Sequence, residues 1–218
     1  MFYRYYPPNS FDFIFTKEGV SLRFSQPSLL NDPFELNPCL PTWSEKFHKG
    51  TYEIINDNIG ILSCSKNECS RTMWSHYAQD HTGFVIELDV EKLEHIKALP
   101  DYFRPLLYAS TRPHLDELLV EKIIELSFVK DEAWKEEQEW RCVVHLGTIP
   151  LTGYDPNGVA IHTETLPVKF INRIILGASS SITLEKKAKL WIEQFAPNVQ
   201  LFKSTTSRKT YSFEYIKI

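Results

Sequence analysis

The chain has 218 residues, 43% of them hydrophobic and 13% aromatic, enough for a sizeable core and enough to exclude global disorder. A formal charge of −4 excludes a protein whose main task is to coat nucleic acid, although a local basic patch is compatible with it. Cys39, Cys64, Cys69 and Cys142 form no CxxC pair, Met1 leads straight into aromatics and Pro7-Pro8, and no apolar run approaches the ~18 residues of a membrane helix. The expectation is a soluble cytoplasmic protein with reduced thiols, no membrane contact and a single α+β domain over residues 1–218.

Along the chain, Phe2 to Tyr6 reads as a short aromatic strand carrying Arg4 and stopped by the paired prolines. Ser10 to Lys17 reads as a brief helix or turn. Gly19 resets the chain before Val20 to Ser25, where Val20, Leu22 and Phe24 alternate with Ser21, Arg23 and Ser25. In Asn31-Asp32-Pro33-Phe34-Glu35, Asn31 or Asp32 can cap a helix and Pro33 suits its first turn. Ile59 to Ser65 predicts a strand and Arg71 to Ala78 a short helix with Trp74 and Tyr77 on one side. Gly83 to Asp89 predicts another strand, with Phe84, Ile86 and Leu88 on one face and Glu87 on the other.

Glu91 to Ala98 predicts a short helix before Pro100, and Leu106 to Ala109 a strand. Leu115, Leu118, Leu119, Ile123 and Leu126 recur at helical spacing after Pro113, which predicts a core-facing helix. Gly147 to Gly158 reads as a loop. Phe170 to Leu176 reads as a buried strand, Leu184 to Phe195 as an amphipathic helix, and Val199 to Lys203 and Tyr211 to Ile218 as closing strands.

The most informative segment is Trp134 to Leu146, where charges run directly into a β-branched stretch. Strand alternation puts Trp140, Cys142, Val144 and Leu146 on an apolar face and Glu137, Glu139 and Arg141 on the other. Such a carboxylate pair can stabilise a sugar cation with one member and take a proton from a nucleophile with the other. A charged helix end feeding a half-exposed strand, with Arg141 neutralising Glu139, accounts for the same residues without catalysis.

Tyr3-Arg4-Tyr5, Leu22 to Pro27, Leu30-Asn31-Asp32-Pro33-Phe34-Glu35, Met73-Trp74-Ser75-His76-Tyr77 and Trp134-x-x-Glu137-x-Glu139-Trp140-Arg141 occur in this order over nearly the whole chain. In that order the chain resembles a broad prokaryotic family of uncharacterised proteins, long catalogued as a domain of unknown function and found in contexts suggesting phage defence. It also looks like a divergent ADP-ribosyltransferase. Members of that fold use a basic or imidazole residue on the first strand, a Ser or Tyr on a middle strand and a Glu opening a late strand. Arg4, Ser25 or Tyr77, and Glu139 match by position, without a Ser-Thr-Ser triplet.

The resemblance implies a mainly antiparallel split sheet around a cleft, flanked by helices, and NAD as the donor. It also implies a defence or toxin role, with a protein or RNA acceptor and an inhibitory antitoxin-type partner. Glu139 would face the ribose and Glu137 the acceptor. The NAD-contacting set would be Arg4, Arg23, Ser25, Asn31, Trp74, Tyr77 and Arg141, with Arg4 or Arg23 on the pyrophosphate and Trp74 or Tyr77 stacked on nicotinamide. Packing alone is a competing role for Trp74 and Tyr77.

Two other activity classes fit the residues. Asp32, Glu35, Glu137 and Glu139 could gather a divalent metal in a nuclease, and an aromatic cleft could bind a ligand without turnover. Cys64, Cys69, His76 and His81 match no common zinc spacing, so no metal ligand is assigned. Gly153 to Gly158 lacks the lysine of a phosphate loop. Lys203 to Lys209 reads as a solvated hairpin tip that could also meet nucleic-acid phosphates.

Overall fold

The computed structural model describes residues 1–37, 45–89, 103–115 and 120–218, with side chains in the two helices that open at Glu45 and Val120 described from Lys49 and Glu121. Cys39, the helix expected at Glu91 to Ala98, and Leu118 and Leu119 lie outside these residues.

The elements begin with β1 (Phe2–Tyr6), α1 (Phe11–Ile14), β2 (Gly19–Phe24), α2 (Glu45–Asn58), β3 (Ile59–Ser65), α3 (Arg71–Tyr77) and β4 (Phe84–Leu88). Then come β5 (Phe103–Pro105), β6 (Leu107–Ala109), α4 (Val120–Leu126), β7 (Val129–Asp131), β8 (Glu139–His145), β9 (Leu151–Tyr154) and β10 (Ala160–Pro167). The chain closes with β11 (Ile171–Leu176), α5 (Ile182–Phe195), β12 (Gln200–Thr206) and β13 (Phe213–Lys217). The architecture is mixed α+β, with helices beside open sheet. Among the described residues no helix is long and apolar enough to cross a membrane.

Two compact units divide the chain. Of the described residues, the first holds 1–22, 64–89 and 165–218, and the second holds 23–37, 45–63, 103–115 and 120–164. In the first unit the strand order is β13-β12-β11-β4-β1, antiparallel at every step except the parallel β11–β12 pair. All five residues of β4 are buried, Glu87 included, because the strand has neighbours on both edges and its polar side chain is paired. Trp74, fully buried, forms a core with Tyr3, Tyr5, Met73, Ala78, Val85 and Ile175, and Tyr77, Phe213 and Tyr215 pack against it. The α5 helix starts where Ser181 accepts the Leu184 N–H at 3.1 Å, and it buries Leu184, Ala188 and Trp191 at three-to-four spacing.

In the second unit β3, β8 and β5 lie side by side, while β6 pairs with β7 in a separate parallel ribbon. Its apolar core gathers Leu36, Ile61, Leu106, Leu126, Phe128 and Val143, with Leu115 packed against it. Three local expectations are corrected here. Residues 33–36 form a turn instead of a helix, since Asp32 Oδ1 takes the Phe34 N–H at 2.9 Å and Leu36 enters the left-handed region at φ 54°. The expected loop after Gly147 contains a strand, β9, paired with β10 across the Asp155–Gly158 turn. And on β8 the Glu139, Arg141 and Val143 side is the buried one, with Trp140 and Val144 half-buried on the other, because Val143 follows Arg141 into the core.

Gly83, just before β4, lies against the backbone at the end of β1: a Cβ there would lie 2.0 Å from the Tyr6 carbonyl oxygen. Gly50, inside α2, has nothing within 4 Å of its virtual Cβ. Gly83→Ala should therefore cost about 1–3 kcal/mol as an overpacking change against rigid backbone. Gly50→Ala should gain about 0.8–1 kcal/mol from helix propensity. Thermal melting of the two variants checks both, and a Gly83→Ala protein melting at the wild-type temperature would contradict the β1–β4 approach.

Candidate functional site

The second unit concentrates its buried charge around one ammonium. Lys130, on β7, places Nζ 2.6 Å from Glu137 Oε2, 3.0 Å from Glu139 Oε2 and 3.3 Å from Glu35 Oε1. Arg141 lies on the face of β8 shared with Glu139, and its Nε donates to Glu139 Oε1 at 2.6 Å. One terminal nitrogen of the same guanidinium donates to Glu139 Oε2 at 3.2 Å and to Glu35 Oε2, and the other donates to the Ser127 carbonyl at 2.9 Å. All five side chains are buried; Arg141 is only 1% exposed.

Each residue reaches this point by its own local device. The Asp32 turn presents Glu35. Phe128 and Lys130, two apart at the start of the β6–β7 ribbon, put a core ring and an ammonium on one side. Asp131 caps the following 3-10 helix by accepting the Ala133 N–H at 2.8 Å. That helix swings Trp134 back over Lys130, whose Nζ lies 5.0 Å from the ring centroid. Glu137 ends the helix. Gln138 then takes the left-handed conformation at φ 44°, ψ 48°, and β8 begins at Glu139. Glu137 and Glu139 thus share a partner because the chain reverses between them, and not through strand alternation as the sequence suggested. The Glu139 backbone N–H is held by the Tyr108 hydroxyl at 2.8 Å.

Electrostatics follow from this crowding. Burial opposes ionisation of Glu139, but Arg141 and Lys130 outweigh it and hold its carboxyl down to about 2. Burial likewise opposes the charge on Lys130, yet Glu139, Glu35 and Glu137 keep it above the ordinary lysine range. Arg141 is raised in the same way by Glu139 and Glu35. Three carboxylates face two cations, which leaves one formal negative charge in excess. Asp32 is buried beside this turn with Oδ2 lacking a hydrogen-bond partner among the described residues.

The remaining expected site residues are distributed over both units. Arg23, Ser25 and Asn31 belong to the second, with Glu137, Glu139 and Arg141. Ser25 is half-buried and its backbone bridges Ile61, while Asn31 is exposed. Arg4, Trp74 and Tyr77 belong to the first unit. Arg4 lies 5.4 Å from the centroid of the Tyr6 ring, and Trp74 packs edge-on to Tyr5 at 5.4 Å. Sequence reasoning missed Lys130, although a lone lysine two residues after Phe128 was a readable signal of a charge drawn into a core. It placed Glu35 only in a metal set. In the structure Glu35, Glu137 and Glu139 of that set converge on an ammonium while Asp32 does not, and no group of three or more His, Cys, Asp or Glu among the described residues is arranged to hold a metal.

A family model described as "Protein of unknown function (DUF2971)" matches residues 73–142, about a third of the chain. The matched span holds Trp74, Lys130, Trp134, Glu137, Glu139 and Arg141, but not Glu35. No curated protein and no solved structure matches the chain.

Lys130→Met keeps the stem and removes the charge, leaving Glu35, Glu137 and Glu139 with Arg141 alone. Breaking a buried ion pair from one side should cost about 3–5 kcal/mol. Adding Glu137→Gln should restore part of it, and urea unfolding of the single and double variants reads the coupling. Equal stability of Lys130→Met and wild type would mean the ammonium is not at this centre.

Acid should weaken the same cluster. The carboxyl of Glu139 is depressed on folding, so its contribution is complete above the ordinary value of 4.5 and fades as pH falls toward about 2. Unfolding free energy measured between neutral pH and pH 3 should decline over that window, and less so in Glu139→Gln; identical pH slopes would contradict the assignment.

Proposed function

We propose that the chain is an ADP-ribosyltransferase-like effector that takes ADP-ribose from NAD and passes it to a macromolecular acceptor, protein or RNA. Breaking the bond between ribose C1′ and nicotinamide sends the electron pair out on nicotinamide and builds positive charge on the sugar. A preorganised negative site in a dry environment favours that transition state over the ground state. The observation that carries the reading is the excess negative charge of the cluster, with Glu139 kept ionised at the first position of β8. In this reading an oxygen of Glu139 passes from its cations to the ribose. Glu137 takes the proton of the acceptor nucleophile as the nucleophile bonds to C1′. Within the same unit Arg23 is the proposed pyrophosphate contact, and Ser25, Asn31 and Arg141 complete the proposed set.

One observation favours a second reading, a binding module without turnover. Both oxygens of Glu139 already accept hydrogen bonds, and the residue is 6% exposed. A saturated, buried carboxylate is what a structural hub requires.

Glu139→Gln separates the two. It removes the excess charge and leaves two carboxylates to two cations, so the cluster can stay folded. With labelled NAD and cell lysate, the transferase reading expects wild-type protein to release nicotinamide and label an acceptor. It expects Glu139→Gln to lose at least about a hundredfold in turnover at matched folded fraction, the scale for removing one electrostatic group from a transition state. No nicotinamide release by wild type, or full release by the folded variant, selects the binding module.

A further inference from the structure

The β12–β13 hairpin of the first unit has one face fixed and its tip open. Thr206 pairs with Phe213, and the Ser207 N–H closes the tip onto the Ser212 carbonyl at 2.9 Å. The ring of Phe213 lies 5.2 Å from that of His81 and 6.4 Å from that of Trp74, which anchors the hairpin on the aromatic core. Beyond this anchor, residues 206–213 and Arg71 of α3 enclose a depression of about 440 Å³, within the size range of small-ligand sites.

The lining of that depression is chemically one-sided. Arg71, Arg208 and Lys209 are exposed, and none of the three is in an ion pair among the described residues. No carboxylate contributes to the wall, although the chain as a whole is net negative. Ser207 and Thr210 add hydroxyls, and Tyr211 stands 97% exposed at the tip. A large aromatic ring held in water on a short hairpin tip has no packing role. Its free π-face, set among unpaired cations and hydroxyls, has the chemistry of a base-stacking platform with phosphate contacts around it.

We propose that this hairpin tip, with Arg71, binds single-stranded nucleic acid: Tyr211 stacks on a base while Arg71, Arg208 and Lys209 contact successive phosphates. A phosphorylated peptide would satisfy the cations but leave Tyr211 unused, and a duplex hides the base faces that Tyr211 needs. The site does not rest on the transferase reading, since none of its residues belongs to the charge cluster or needs NAD.

Fluorescence anisotropy with dye-labelled oligouridylate and oligothymidylate of about ten nucleotides tests the proposal without NAD. Binding should weaken between about 50 and 200 mM salt with a log–log slope near −2, the value for three phosphates on a single strand. Tyr211→Ala should weaken binding at least about fivefold at nearly unchanged slope, the scale of one lost base stack. Arg208→Ala with Lys209→Ala, and separately Arg71→Ala, should weaken binding and flatten the slope. All these side chains are exposed, so melting temperatures should match wild type and report any folding defect. No binding by wild type at about 50 mM salt, wild-type affinity in Tyr211→Ala, or equal displacement by a doubly phosphorylated peptide overturns the proposal.

Discussion

The second unit is organised around the ammonium of Lys130, because a buried lysine must be surrounded by carboxylates and buried carboxylates must find cations. Satisfying both demands brings the Asp32 turn, the β6–β7 ribbon, the 3-10 helix after it and the start of β8 to one place, with Glu35 and Arg141 separated by 106 positions in sequence. Such a cluster contributes little net stability over a well-packed apolar core. What it contributes is discrimination, since any slip of β8 by one residue would turn Glu139 away from Lys130 and Arg141 away from Glu35. The motif from Trp134 to Arg141 then has a physical account: Trp134 covers the ammonium, Glu137 and Glu139 pair with it, Trp140 packs on Phe103 with ring centroids 5.5 Å apart, and Arg141 closes the network.

The same cluster bears on chemistry because it is not neutral. A formal excess of one carboxylate in a desolvated site favours developing positive charge, and Arg141 and Lys130 together hold the Glu139 carboxyl well below the ordinary carboxylate range. These are properties of a transition-state stabiliser. They are equally properties of a structural hub whose charges are already paired. What separates the two is whether Glu139 exchanges one of its present partners for a ligand, an event with a kinetic signature and no signature in packing.

The first unit solves a different problem. Its sheet is buried on both faces at β4, and the polar residue there is handled locally: Glu87 pairs with Arg173, whose Nε lies 2.5 Å away. Aromatic packing around Trp74 fixes α3 and the inner face of the β12–β13 hairpin together. The hairpin tip, freed from packing duty, carries the charges and the ring that face water.

Much of the backbone was legible in the sequence because its causes are local. Alternation marked β2 and β4, and Pro7 and Pro8 ended the first strand. The pattern also set Glu137, Glu139 and Arg141 apart as residues with a shared purpose. What the tertiary structure alone decided was where that purpose is served. Strand periodicity names two faces but not which of them is covered, so the Glu139 and Arg141 face of β8 read as the open one when it is the more deeply buried. The turn at Gln138 hid the route by which Glu137 reaches its partner. Lys130 and Glu35 carry no local mark of meeting, because their encounter depends on pairing between distant segments, and the low dielectric that makes the encounter obligatory exists only once those segments have closed over it.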